Sequence, residues 1–295
     1  MGMETLRGTA ASSCEPVPTA RQLHTSMPTR SPNYTKPPVS ETILGVQFDW
    51  LPLLMNAHLG AFWRSLGEDW PNPTDAPALD PQFERFGEPN WQPIRLQLKL
   101  ADSSFRMQIK NAAGNRMIQV QNGRLHFNWI KIGDSGYPRY SEVLPGFIEA
   151  FEKFRGFVET SELGSIVANQ WEVTYVNQIP QGTVWNRPAD WGFFQPINSA
   201  ENINDIAELE SFSGEWHYVI PKQRGRLHVQ WQHGRQPGAD RDSIVLTLTA
   251  RGPINKEAGN LIDGLNLGHN TIVEAFRRLM SDTANKFWDL KGLEK

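Results

Sequence analysis

The sequence predicts an α+β protein built on antiparallel sheet, and three observations carry that prediction. Ile94, Leu96, Leu98 and Leu100 alternate with Arg95, Gln97 and Lys99, and Phe105, Met107 and Ile109 alternate with Arg106, Gln108 and Lys110. This is the period-two pattern of strands with one apolar face. Asn122-Gly123 separates two further strand-like runs, 116–121 and 124–132, a strong signal for a tight hairpin. Elsewhere the period lengthens: Leu144, Phe147, Ile148, Phe151, Phe154 and Val158 recur at three and four residues, the apolar stripe of a helix. Meanders followed by amphipathic helices belong to the α+β class.

The elements follow in order. Residues 1–36 mix Ser, Thr, Pro and Arg without periodicity and read as a disordered tail that cannot offset its ordering entropy. Order is expected from Pro37-Pro38. Residues 41–48 read as a strand. Leu51, Leu54, Met55, His58, Phe62 and Leu66 form a helical stripe, with His58 expected in the core. Residues 69–93, rich in Pro, Asn and Asp, read as a long loop. The meander of 94–132 comes next, then a helix over 144–158 and a strand over 170–179, rich in β-branched and aromatic residues. A second long loop spans 180–210. Strands return at 213–220, 225–232 and 243–250. A final helix is expected over 271–289, opened by the capping box Thr271-Ile272-Val273-Glu274. His269 then falls in a loop or cap.

One echo stands out. Residues 123–129, Gly-Arg-Leu-His-Phe-Asn-Trp, resemble 225–231, Gly-Arg-Leu-His-Val-Gln-Trp. Chance similarity between strands is one reading. The other is two similar half-domains, 37–165 and 166–295, in one compact unit.

Composition narrows the function. The 295 residues are 39% hydrophobic and 21% charged, enough for a sizeable core. No stretch approaches the roughly 20 apolar residues of a membrane helix. The single cysteine, Cys14, excludes an internal disulfide and any multi-cysteine metal or redox site. No phosphate-loop, dinucleotide or nucleophile-elbow motif occurs, so no cofactor is expected, and the histidines lack standard metal-ligand spacing. A cytoplasmic protein is the expectation.

Several segments resemble a bacterial family, TIGR04255. They are Gln119–Trp129 (QVQNGRLHFNW) with Tyr137-Pro-Arg-Tyr140, Asn169–Asn177 (NQWEVTYVN), the ending Phe276–Trp288 (FRRLMSDTANKFW), and the opening Pro37–Glu41 (PPVSE). The resemblance spans about 37–290. It implies a bacterial protein with one family-wide domain, and it brings no activity, cofactor or catalytic residue with it.

Charge placement supplies the candidate site. Arg95, Lys99, Arg106, Lys110, Arg116, Arg124 and Lys131 fall within one meander with a single acid, Asp102. Arg95 and Lys99 share a strand face, as do Arg106 and Lys110. Lys222, Arg224, Arg226 and Arg235 surround the second echo. Such faces can attract a polyanion or stand as solvated surface. Phe127 and Trp129 would serve base stacking if exposed and the core if buried. In either case His126 and Asn128 lie on the basic side. Glu172, between Trp171 and Val173, faces away from both.

The leading expectation is a non-enzymatic binding protein for a protein or nucleic-acid partner, with Arg95, Lys99, Arg106, Lys110, Arg124, His126, Arg226 and His228 as candidate contacts. The alternatives are an enzyme acting on a small anionic substrate where Arg124, His126, Arg226 and His228 converge between half-domains, and a structural assembly subunit.

Overall fold

The structure, a computed structural model, describes residues 32–87, 105–187, 190–195, 213–235, 240–255 and 258–291. The expected strand 94–100, with Arg95 and Lys99, lies outside the described residues, as do residues 1–31 of the expected tail 1–36; the end of that stretch is ordered, since Asn33–Tyr34 pairs with Leu290–Lys291 and Tyr34 is buried. The strands are β1 (Asn33–Tyr34), β2 (Val39–Phe48), β3 (Asn72–Pro77), β4 (Phe105–Lys110), β5 (Arg116–Gln121), β6 (Arg124–Ile130), β7 (Ala168–Pro180), β8 (Ser213–Ile220), β9 (Gly225–Gly234), β10 (Ser243–Pro253) and β11 (Leu290–Lys291). The helices are α1 (Asn56–Ser65), α2 (Tyr140–Thr160), α3 (Leu261–Leu279) and α4 (Asp282–Phe287).

Nine strands form one antiparallel sheet in the order β3-β4-β5-β6-β2-β7-β10-β9-β8, and β1 pairs with β11 in a second, two-stranded sheet. The α+β expectation is met. The same order occurs twice about the central β2–β7 pair. After β2, the meander ends in β6, which returns to pair with β2, and α2 follows; after β7, the meander ends in β10, which returns to pair with β7, and α3 follows. The sequence echo does not mark this repetition. Its first copy forms β6, directly beside β2, whereas its second forms β9, separated from β7 by β10.

Alternation along each strand gives the sheet two chemically distinct faces. One carries the in-register row Ile109, Ile118, Phe127, Leu44, Val173, Ala250 and Leu227, every member buried. Helix α2 lies over β6 and β2, and α3 over β7, β10 and β9. Helix α3 comes very close. A Cβ added at Gly264 would fall 2.1 Å from Trp171 Cδ1, and one at Gly268 2.7 Å from Trp171 Cζ3. Phe127 and Trp129 belong to this core.

Four local expectations are corrected. Within the expected loop 69–93, Asn72–Pro77 forms β3. Its two prolines are tolerated because β3 is an edge strand bonded only to β4. His58 is not core; its Nδ1 accepts the Met55 backbone N–H (3.0 Å) at the start of α1. Helix α2 begins at Tyr140, a turn before the stripe. The last long helix starts at Leu261, where Asn260 Oδ1 caps the Asp263 N–H (3.0 Å), so Thr271 lies mid-helix and His269 is a helix residue.

Candidate functional site

The second face of the sheet is polar, yet it is covered. One step along from the apolar row stands Gln108, Gln119, His126, Gly45, Glu172, Arg251 and Arg226, again in register across seven strands. Beside it runs Gln121, Arg124, Gln47 and Gln170. Gln119, Gln121, Arg124, His126, Gln47, Gln170, Glu172 and Arg226 are all buried. Buried polar groups need partners, and the segment 78–87, here called the strap, provides many of them.

The strap crosses the strands and is gripped by its main chain. The Gln121 amide both accepts from Leu79 N–H (2.8 Å) and donates to Leu79 C=O (2.8 Å). Gln47 does the same at Gln82, accepting at 3.3 Å and donating at 2.9 Å. Gln170 accepts from Glu84 N–H (3.0 Å) and donates to Gln82 C=O. A glutamine amide presents one donor and one acceptor, as a peptide group does, so these three side chains act as a row of surrogate strand partners.

Strap side chains alternate as in a strand. Gln82, Glu84 and Phe86 make contacts with sheet side chains, while Phe83 is 56% exposed. Glu84 enters a cage of three sheet residues. It pairs with the Arg226 guanidinium, lies 2.6 Å from His228 Nε2 and accepts from Arg251 Nε (3.1 Å). Arg226 also donates to Arg85 C=O (3.0 Å) and stacks over Phe86. Burial alone would raise the Glu84 pKa, but the bond and charge of His228, then Arg251 and Arg226, outweigh it and hold the carboxyl below its usual range.

A second carboxylate sits beside the first. Glu172 lies 3.3 Å from His126 Nε2 and 3.4 Å from Arg251 Nη1. Burial pushes its pKa up; hydrogen bonding and charge from His126, with Arg251 and Arg124, push it down further, to about 2. Gly45 makes the His126–Glu172 contact possible, because a Cβ there would lie 2.5 Å from His126 Cδ2. Three guanidiniums (Arg124, Arg226, Arg251) thus face two carboxylates across the centre of the sheet, and Arg251 bridges them.

At either side the network continues in neutral or exposed groups. Gln108 donates to Gln119 (3.0 Å), Gln119 to Asn128 (2.8 Å) and Asn128 to Glu41 (2.6 Å). On the other side His228 Nδ1 lies 2.8 Å from His217 Nδ1.

The placement of the expected contacts is therefore mixed. Arg124, His126, Arg226 and His228 do come together, around Glu84, Glu172 and Arg251. They are not the open basic face that the sequence suggested, since buried charges require counter-charges and these have them. Arg106 is half-buried on β4 and Lys110 exposed. Sequence reasoning missed Glu84, Arg251 and the glutamine row. The alternation of Gln82, Glu84 and Phe86 within the expected loop was the available signal. No cluster of His, Cys, Asp or Glu able to hold a metal occurs among the described residues, and none of the described helices is long and apolar enough to cross a membrane.

A different cavity, of about 300 Å³, lies on the helical side between β1, α2 and α3. Four of the chain's five tyrosines line it: Tyr34, Tyr137, Tyr140 and Tyr175. The Tyr137 and Tyr175 hydroxyls are 2.8 Å apart, and Tyr175 OH is 2.8 Å from His269 Nδ1. His269 stacks on Tyr140 at 4.1 Å. Burial lowers the His269 pKa to about 4 and raises that of Tyr137 to about 12, so both are neutral at neutral pH.

Comparison with known protein families, with curated proteins and with solved structures gives no match in any of the three.

Proposed function

We propose that this chain is a non-enzymatic binding protein whose polar sheet face recognises an extended acidic segment of a protein partner, and that the strap occupies this site in cis. One observation carries the reading: a row of glutamine side chains holds the main chain of an extended segment while an Arg–His–Arg cage holds its carboxylate. Main-chain contacts supply affinity and a side-chain pocket supplies selectivity, the division of labour seen where proteins bind extended peptides. The recognised pattern is an acid followed two residues later by an aromatic ring, as Glu84 is followed by Phe86. A nucleic-acid partner is less well supported, because His126, Arg226 and His228 would have to give up their carboxylates to meet phosphates. The bacterial and cytoplasmic setting expected from the sequence is part of the same proposal.

A tethered segment competes at an effective concentration on the order of millimolar, so the site must be tested with the tether weakened. A labelled peptide of the strap sequence, ALDPQFERFG, is titrated into full-length Glu84→Ala and into the unaltered protein, with fluorescence anisotropy as the readout. Saturable binding to the variant, weaker binding to the unaltered protein and loss of binding when the peptide's Glu is changed to Gln are expected. If the variant binds the Glu and Gln peptides alike, or neither, the reading fails.

A further inference from the structure

The tyrosine-lined cavity is separate from the polar face and has its own chemistry. Its walls combine aliphatic and aromatic surface from Val39, Ile272, Val273 and Phe276 with the rings of Tyr34 and Tyr140. Among the described residues that line it none is acidic, and one, Arg139, is cationic. Arg139 makes no ion pair among the described residues. Its Nη1 donates to the Tyr34 C=O (2.7 Å), which fixes the guanidinium against β1 and leaves donors of the fork over.

The backbone is arranged around this residue. Arg139 has φ 79° and ψ 154°, a left-handed conformation that costs a non-glycine residue about 1–3 kcal/mol and concentrates at ligand sites. It is also the N-cap of α2, where no side chain caps the helix. Arg139, Tyr140 and Ser141 all line the cavity, so the first turn of a 21-residue helix adds its positive end to the same wall. The far side is neutral and hydrogen-bonding: Tyr137 OH, Tyr175 OH and His269 form one chain.

We infer that this cavity is a binding site for a small aromatic monocarboxylate, with the carboxylate on Arg139 at the start of α2 and the ring against Ile272, Val273 and Phe276. The volume of about 300 Å³ lies at the lower end of ligand pockets and suits one or two rings. A single guanidinium without a competing acid selects a single anionic group. The rings of Tyr34, Tyr140 and Phe276 favour a flat apolar body over a flexible chain. The neutral Tyr–His chain can hydrogen-bond a ring substituent without adding charge.

The test compares phenylacetate with phenylacetamide on the unaltered full-length protein, by calorimetry and by methyl shifts at Ile272 and Val273. Phenylacetate is expected to bind with a dissociation constant below about 1 mM and to move those methyl signals. The uncharged amide should bind about ten- to a hundredfold more weakly, the value of a hydrogen bond to a charged group. Arg139→Gln should bring the acid down to the affinity of the amide. Because Arg139 also anchors β1, the acid–amide comparison stands without any variant. Equal binding of the two, no binding of phenylacetate at about 10 mM, or binding that leaves Ile272 and Val273 unmoved would overturn the inference.

Discussion

On one side of the sheet, α3 approaches so closely that two glycines are needed to admit Trp171; on the other, a strap of ten residues is held by glutamine amides and one buried carboxylate. Both coverings exclude water, but by different physics. The helical side rests on apolar area and shape, which are non-directional and lost only when the whole layer separates. The strap rests on directional bonds to its own main chain and on ion pairs, whose net worth is small because water satisfies the same groups when the strap lifts. The helical side accordingly defines the fold. The strap side is the one that can open locally without unfolding the sheet, and low-stability segments are where binding surfaces are drawn from.

The largest expected effect tests the helical side. Trp171→Ala empties the space that Gly264 and Gly268 exist to admit, and should cost about 3–5 kcal/mol. Urea denaturation would show this as a lower midpoint with little change in slope. A loss under about 1 kcal/mol, below the usual cost of a large core truncation, would mean that α3 does not depend on this contact.

Acid should separate the two sides. His269, on the helical side, has its pKa lowered to about 4 by burial. Its folded pKa is depressed, so its stabilisation is complete above its ordinary pKa of 6.5 and is lost as pH falls towards 4. Glu172, on the polar side, is depressed from 4.5 to about 2, so its contribution is intact above pH 4.5 and is lost only between there and 2. Each shift corresponds to roughly 3 kcal/mol. Stability measured against pH should therefore fall in two windows. His269→Gln should remove the upper one and leave the lower. A single transition that His269→Gln does not alter would break the separation.

Removing the strap's carboxylate should act locally. In Glu84→Ala, the backbone amides of residues 79, 82 and 84, each bonded to a glutamine side chain, should exchange with solvent at least tenfold faster, an opening easier by about 1.4 kcal/mol. Amides in β2 and β7 should keep most of their protection. Equal loss across the sheet would show that the polar covering is as much a part of the fold as the helices are.

The same contrast explains what could be read from the sequence. Strand alternation placed Arg124, His126 and Glu172 on one face and Phe127 and Trp171 on the other, because face follows from a period of two whatever covers it. Burial of the polar face was not legible. It depends on residues 78–87, which have no helical period and pair with side chains instead of a neighbouring strand. The convergence of Arg226 and Arg251 on Glu84 requires the register of β9 and β10 and the path of the strap together. The cavity was hidden for a related reason: Tyr137, Tyr140, Tyr175 and His269 come from three separate regions, and the start of α3 was missed.

That missed start supplies the smallest prediction. Residues 261–270 contain Gly264, Gly268, Asn266 and Asn270, poor helix formers, so local propensity favoured beginning the helix at Thr271. Packing overrides propensity here, since the two glycines let the helix reach Trp171 and Asn266 accepts a bond from Tyr140 OH (3.0 Å). The cap is then Asn260, not Thr271. Asn260→Ala should cost about 1 kcal/mol by loss of the side-chain bond to the Asp263 N–H, and Thr271→Ala should stay within about 0.5 kcal/mol. Thermal melting of the pair decides the point. If Thr271→Ala proved the costlier, the first three turns of α3 would not contribute to holding the helical face, and the cavity wall built on His269 would lose its support.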